Sequence, residues 1–246
     1  MSKTLILIPS RMSAKRLPGK PLLKINNLPI IVHVVNRAKN TNLGRVVVCT
    51  EDQIIYDNVK KNGGEAILTD KNHKTGTDRI FDGFKKLDCK DVKYIINLQG
   101  DEPALNENDI INLNNFMIKH NSDIGTLAAE IKEDKILSDE NIVKVISKEK
   151  LNYENFPTAL NFTRKALSKI ESNIYHHIGI YAYKAEILEK FFNLKQTQNE
   201  KENRLEQLRA LDNSLNINIA LAKTSPIGVD TEEEYLAIKK IMEYKS

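Results

Sequence analysis

Four short apolar runs, each followed by a polar loop, constrain this chain more than any other feature of its sequence. They are residues 4–9 (TLILIP), 45–50 (RVVVCT), 65–69 (EAILT) and 94–99 (YIINLQ). Continuously apolar runs of this length suit strands that are covered on both faces. Between them lie amphipathic stretches of helical length at 30–39, 54–61 and 78–87. The alternation is that of βαβ units, so an α/β fold with a mostly parallel sheet flanked by helices is expected. In such sheets ligands bind beyond the carboxyl ends of the strands. The loops after Pro9, Thr50, Thr69 and Gln99 therefore converge on one crevice. They read SRMSAKRLPGK, ED, KNHKTGTDR and GDEP.

Beyond about residue 120 the alternation loosens. Strand-like runs at 124–131, 142–147, 158–163 and 177–183 precede helical stretches at 185–192 and 202–211, a strand at 217–222 and a closing helix at 232–243. There is no internal repeat and no low-complexity linker. The expectation is one domain over 1–246 with a β-rich insertion at roughly 124–184.

Charge sharpens what the crevice is for. The 37 basic and 33 acidic residues leave a net charge of only +4, too little to expect a nucleic-acid partner unless the cations cluster. No apolar run reaches the roughly eighteen residues a bilayer requires, and the apolar stretch in MSKTLILIP is too short for a signal peptide. A cytoplasmic protein without a membrane partner is expected. Cys49 and Cys89 lack metal-ligand spacing and neither reads as catalytic.

The cations do cluster. Arg11, Lys15, Arg16 and Lys20 fall within ten residues around the turn-forming pair Pro18-Gly19. Such a loop is either solvated surface or a cradle for a triphosphate, in which guanidinium groups bind oxygens in pairs and lysine acts as a point charge. It is not a P-loop, because Pro21 follows Lys20, and no G-x-G-x-x-G follows the strand. Asp101 follows the fourth run directly. Asn106 is available to cap the next helix, which leaves Asp101 free to hold Mg²⁺. Asp230 stands in the same relation to the last helix, whose capping box is Thr231 and Glu234. Alone it reads equally well as a surface residue, and the pairing with Asp101 gives it weight.

Thr75 or Thr77 caps the helix that carries Arg79, which either reaches a ligand anion or pairs with an aspartate. His177, at the head of HIGIYAY, reads as a core histidine. Glu206, Gln207 and Arg209 lie opposite a Leu205, Leu208, Leu211 stripe, where polar residues face solvent.

Taken in order, IPSRMSAKRLPGKPL, TGTDR, NLQGDEP, HHIGIYAY, LEQLR and GVDT resemble the 3-deoxy-manno-octulosonate cytidylyltransferases from residue 5 to residue 231. The resemblance implies a Rossmann-like nucleotidyltransferase fold of the GT-A-like kind. It implies transfer of CMP from CTP to 3-deoxy-manno-octulosonate (Kdo) with Mg²⁺, for lipopolysaccharide, by a homodimer. Arg11, Arg16 and Lys20 would hold the triphosphate, Thr75 and Gly76 the cytosine region, and Gln99 nucleotide or sugar. Asp101 and Asp230 would bind the metal, so that Lys20, Arg16, Asp101 and Asp230 carry the chemistry. Arg79, Arg164, His177, Tyr181, Glu206 and Gln207 would line the sugar pocket. One departure is the segment KALSKIESN (165–173), which stands where the family pattern carries a longer stretch containing Pro-Trp. The rivals are a cytidylyltransferase for amino-Kdo or a sialic-acid-like sugar, and a non-catalytic nucleotide-sugar binder.

Overall fold

The computed structural model describes residues 3–13, 16–167, 173–225 and 228–244. Lys15, and the middle of KALSKIESN at 168–172, lie outside them. The chain forms two compact units, Met1–Asn108 with Pro226–Ser246, and Asp109–Ser225.

The first unit begins with β1 (Thr4–Ser10), whose Leu5, Ile6, Leu7 and Ile8 have almost no exposure. A hairpin, β2 (Lys24–Ile25) and β3 (Leu28–Pro29), turns through Asn26 and Asn27, both at positive φ. Asparagine tolerates that region, and two such residues in succession make the primed turn that suits a hairpin. Then follow α1 (Ile30–Asn40), β4 (Gly44–Thr50), α2 (Gln53–Lys61), β5 (Glu65–Leu68), α3 (Gly76–Leu87) and β6 (Tyr94–Asn97). Strand β1 pairs in parallel with β4 and with β6, and β4 pairs in parallel with β5. Ile6 thus sits between Val46 and Ile96, which explains why its run is apolar throughout. The expected parallel α/β sheet is present, with α1, α2 and α3 packed on its strands.

The second unit takes in α4 (Glu107–His120) from Asp109 onward, followed by β7 (Ile124–Ala129), α5 (Asp134–Ser138), β8 (Lys144–Ser147), β9 (Ala159–Thr163) and β10 (Ile174–Lys184). Helices α6 (Ala185–Asn193), α7 (Gln198–Asn203) and α8 (Gln207–Asp212) and strand β11 (Ile217–Leu221) complete it. Fully buried β7 pairs in parallel with β11 and antiparallel with β10, while β8 joins β10 to β9, again antiparallel. The β10 register slips between Ile178 and Tyr181. There the Thr126 hydroxyl lies 2.8 Å from Ile180 O and 3.2 Å from Ile178 O, and its one proton satisfies one of these carbonyls of the bulged backbone.

The helix expected at 202–211 is two helices instead. Arg204 adopts the left-handed conformation (φ 54°) and ends α7. The break brings Glu200 and Arg209 together in a buried two-point ion pair, at 2.8 and 2.5 Å, with the guanidinium 4.9 Å from the Phe191 ring centroid. In a straight helix residues nine apart are separated by roughly 13 Å and cannot meet.

The chain returns to the first unit with α9 (Glu232–Glu243), which starts on the expected capping box of Thr231 and Glu234. Ile238 and Val229 join Ile25 and Ile30 in one apolar cluster, and the Tyr235 hydroxyl donates to Lys24 O at 2.6 Å. Burial of this helix against the β2–β3 hairpin is what carries residue 230 to the neighbourhood of residue 20.

Candidate functional site: a charge cluster at the strand ends

The loop after β1 is folded by its own backbone. Gly19, at φ 73°, precedes a single 3₁₀ turn, Lys20–Leu22, and its N–H donates to Met12 O. Asp52 follows β4 and stands just before α2 without capping it. Its carboxylate accepts from Met12 N at 2.7 Å and ties the loop to the next strand's end. These contacts aim Lys20 at two carboxylates. Its ammonium donates to Asp101 and, at 2.9 Å, to Asp230, while Arg16 donates to the other oxygen of Asp230 at 2.6 Å. A backbone bond from Val229 N to Asp101 O, 2.9 Å, joins the two acidic segments. Gly100 is required beside them, because a Cβ there would lie 2.8 Å from Pro9 O.

Burial works to lower the Lys20 pKa, but Asp101 and then Asp230 outweigh it, and the net shift is upward. Lys20 is therefore an ammonium at neutral pH, and the four groups form a balanced set of two cations and two anions. The neighbouring Glu102 carboxyl is pushed up to about 8 by burial, then by Asp101 and Asp230.

Around this cluster Ser10, Arg11, Lys74, Thr75, Gly76, Arg79 and Gln99 help line a cavity of about 430 Å³. Thr75 caps α3 in a reciprocal box with Asp78. Arg79 is buried and bound to the Glu51 carboxylate at 2.5 Å and to the Thr69 hydroxyl at 2.9 Å. Arg79 thus pairs with a glutamate, an alternative to the aspartate and the free anion that its sequence context suggests. Glu51 and Asp52 are the residues that sequence reasoning passed over. Their signal was their place in the ED segment, directly after a buried strand.

The second unit assembles most of the remaining candidates. The buried His177 ring lies 5.0 Å edge-on from Phe162 and 5.5 Å from Tyr181. Its Nε2 is 3.0 Å from the Thr126 hydroxyl. That hydroxyl spends its one proton on a carbonyl, so Nε2 carries the hydrogen. Burial, then His176 and Arg164, press the His177 pKa down to about 3. Burial, then Tyr183 and Glu206, push the Tyr181 phenol well above its usual value, and its buried oxygen has no hydrogen-bond partner among the described residues. Glu206 is half-buried, 3.4 Å from Arg209, so it does not face open solvent as its helix pattern suggests. Gln207 opens α8 beside it. His176 and the exposed Ser225 form a separate pair at 2.7 Å.

Among the described residues no three His, Cys, Asp or Glu side chains come together as a ready-made metal site, and no helix is long and apolar enough to cross a membrane. Cys49 is buried within β4, and burial raises its thiol to about 12, so it is chemically quiet.

The pattern of the cytidylyltransferase family matches residues 5–217. The chain is 40% identical over 246 residues to the 3-deoxy-manno-octulosonate cytidylyltransferase of Nitrobacter winogradskyi, a match covering 98% of this chain and 94% of that one. It is 41% identical over 240 residues to the protein of the same name from Afipia carboxidovorans, covering 97% and 96%. A solved structure of CMP:2-keto-3-deoxy-manno-octonic acid synthetase complexed with CTP superposes with a TM-score of 0.90 at 31% identity over 100% of both chains. UDP-glucose pyrophosphorylase complexed with UDP-glucose shares the fold alone, with a TM-score of 0.70 at 16% identity. With its strand-end charge cluster and these full-length matches, the chain belongs to the 3-deoxy-manno-octulosonate cytidylyltransferase family.

Proposed function

We propose that the protein transfers CMP from CTP to the anomeric hydroxyl of 3-deoxy-manno-octulosonate and releases pyrophosphate. The observation that carries this reading is the mutual neutralisation of Arg16 and Lys20 by Asp101 and Asp230 in the lining of the cavity. Two cations held by two carboxylates are the halves of a metal–triphosphate site paired with each other. A triphosphate would draw the cations off and leave both aspartates to a divalent ion. Two hard oxygen donors, with phosphate oxygens and water completing the shell, fit Mg²⁺, which takes few protein ligands. When bound there, Mg²⁺ would supply charge neutralisation at the α-phosphate and a lowered pKa for the sugar hydroxyl.

The side chains then act mainly by position and charge, as nucleotidyl transfer requires. Arg11, Arg16 and Lys20 bind the β- and γ-phosphates and stabilise the departing pyrophosphate. Thr75, Gly76 and Gln99 contact the nucleoside. Arg79, Arg164, His177, Tyr181, Glu206 and Gln207 recognise the sugar, with Arg164 on its carboxylate. The buried Tyr181 hydroxyl without a partner supports this, since a sugar hydroxyl would complete it. The reading further makes the chain a cytoplasmic homodimer that serves lipopolysaccharide assembly, and light scattering on the purified protein checks the dimer.

The decisive experiment mixes purified protein with CTP, Mg²⁺ and Kdo and follows pyrophosphate, with amino-Kdo and a sialic acid as parallel acceptors. Release with Kdo above the other acids is expected, and chelation with EDTA should abolish it. Silence with every sugar would refute the enzymatic reading. Turnover that survives EDTA would remove the metal from it.

A further inference from the structure

Lys144 opens β8 in the second unit and has no solvent-accessible surface. Lysine is almost never fully buried unless something compensates the lost hydration of its ammonium. Among the described residues no carboxylate is ion-paired with it. Its Nζ donates instead to two backbone carbonyls, Asp139 O and Arg164 O, each at 2.9 Å. Burial lowers its pKa, and the nearby charges of Asp139 and Glu140 oppose that without cancelling it.

The two carbonyls come from different segments. Asp139 belongs to the turn before β8, which is closed by Asn141 N donating to Asp139 Oδ1 at 2.8 Å. Arg164 is the residue that follows β9, and β9 pairs with β8 at Thr163 opposite Lys144. The same turn also holds the side chain of Arg164, whose Nη1 donates to Asn141 O at 2.7 Å. Arg164 is thus fixed at both ends by residues 139–141, through its carbonyl by way of the Lys144 ammonium and through its guanidinium by way of Asn141 O. Without the ammonium, the main chain of Arg164 loses its bond to the turn that aims its side chain.

We propose that Lys144 is a positioning residue for sugar-acid recognition, holding Arg164 so that its guanidinium meets the substrate carboxylate. The inference rests on the role given to Arg164 above. An arginine that binds a carboxylate through two parallel bonds is sensitive to small displacements, because its fork must be coplanar with the acid. A purely structural lysine would affect both substrates alike. A positioning lysine affects the sugar acid.

The test compares wild type, Lys144→Met, Arg164→Met and the double variant in pyrophosphate release with CTP and Kdo. In Lys144→Met the KM for Kdo should rise about tenfold while the KM for CTP stays within about twofold. In the Arg164→Met background the same change should cost less than about twofold, since residues that act through one another are not additive. Equal shifts in both KM values, or full additivity, would overturn the inference. If Arg164→Met leaves the Kdo KM unchanged while wild type turns over normally, the roles of Arg164 and Lys144 both fall and the reaction stands. Silence of wild type with every sugar removes the reaction and this inference together. Should Lys144→Met fail to fold, Lys144→Gln, which keeps a donor, takes its place. Unfolding of both variants would assign Lys144 to the fold alone.

Discussion

The two units hold polar groups in opposite ways. In the first, charges stand at the ends of parallel strands, partly exposed and neutralised by one another, with Lys20 and Arg16 shared between Asp101 and Asp230. In the second, polar groups lie buried, beside aromatic rings as with His177 and Tyr181, pinned by backbone carbonyls as with Lys144, or locked in a buried ion pair as with Glu200 and Arg209. The first arrangement is exchangeable, since an incoming ion can replace a surface-reachable partner at little cost. The second is fixed, because a buried group that loses its partner bears the full desolvation penalty. On the proposed function, the exchangeable charges would serve the highly charged nucleotide and the fixed groups the singly charged sugar acid.

The contrast can be broken at its strongest point. Asp101→Asn should keep the fold yet lower kcat by about a thousandfold, equivalent to about 4 kcal/mol of barrier, measured as pyrophosphate release. Near-normal turnover would take Asp101 out of the chemistry. Next in size is Glu51→Gln, which keeps an acceptor but removes the countercharge from the buried guanidinium of Arg79 and should cost about 3 kcal/mol in urea unfolding. A loss below about 1 kcal/mol would show that this pair belongs with the exchangeable charges.

The fixed character of the second unit predicts a pH signature. His177 is neutral when folded and falls to about 3 from an ordinary 6.5. Its unfolded form gains a proton below pH 6.5, so its contribution to stability is complete above that value and drains away as pH falls towards 3. The slope is at most about 1.4 kcal/mol per pH unit. His177→Gln should flatten the acid limb of the stability curve by that amount, and an unchanged limb would show that the ring takes up a proton in place.

The smallest effect separates two glycines. A methyl at Gly100 meets the Pro9 carbonyl at 2.8 Å, whereas one at Gly125 meets side-chain atoms of Met117, Leu113 and Phe156 at 2.6 to 2.9 Å. Backbone cannot move aside as side chains can. Gly100→Ala should therefore cost about 1 kcal/mol more than Gly125→Ala in thermal unfolding.

The same division governs what can be read from the sequence. The parallel strands of the first unit are apolar on both faces and stand out as runs, so β1, β4, β5 and β6 fall within a residue or two of expectation. The converging loops follow from strand direction alone. That Lys20 would bridge Asp101 and Asp230 does not, because it depends on α9 packing against a hairpin whose two-residue strands carry no periodicity. In the second unit the helix expected at 202–211 fails on one left-handed arginine, favoured by an ion pair that pattern cannot reveal. His177 was legible as a core histidine. Its neighbours were not, because they are gathered by antiparallel pairing and a bulge.

The backbone bond from Val229 to Asp101 carries a consequence for how the protein is made. The first unit is interrupted in the chain by the whole of the second, residues 109–225. On the ribosome Lys20 and Asp101 emerge more than a hundred residues before Asp230. Until Asp230 is made, Lys20 has only Asp101 of its two carboxylates and Arg16 lacks its partner in the cluster. Closing the charge cluster is thus a late step of synthesis, set by the place of Asp230 in the chain and not by the loop that holds Lys20.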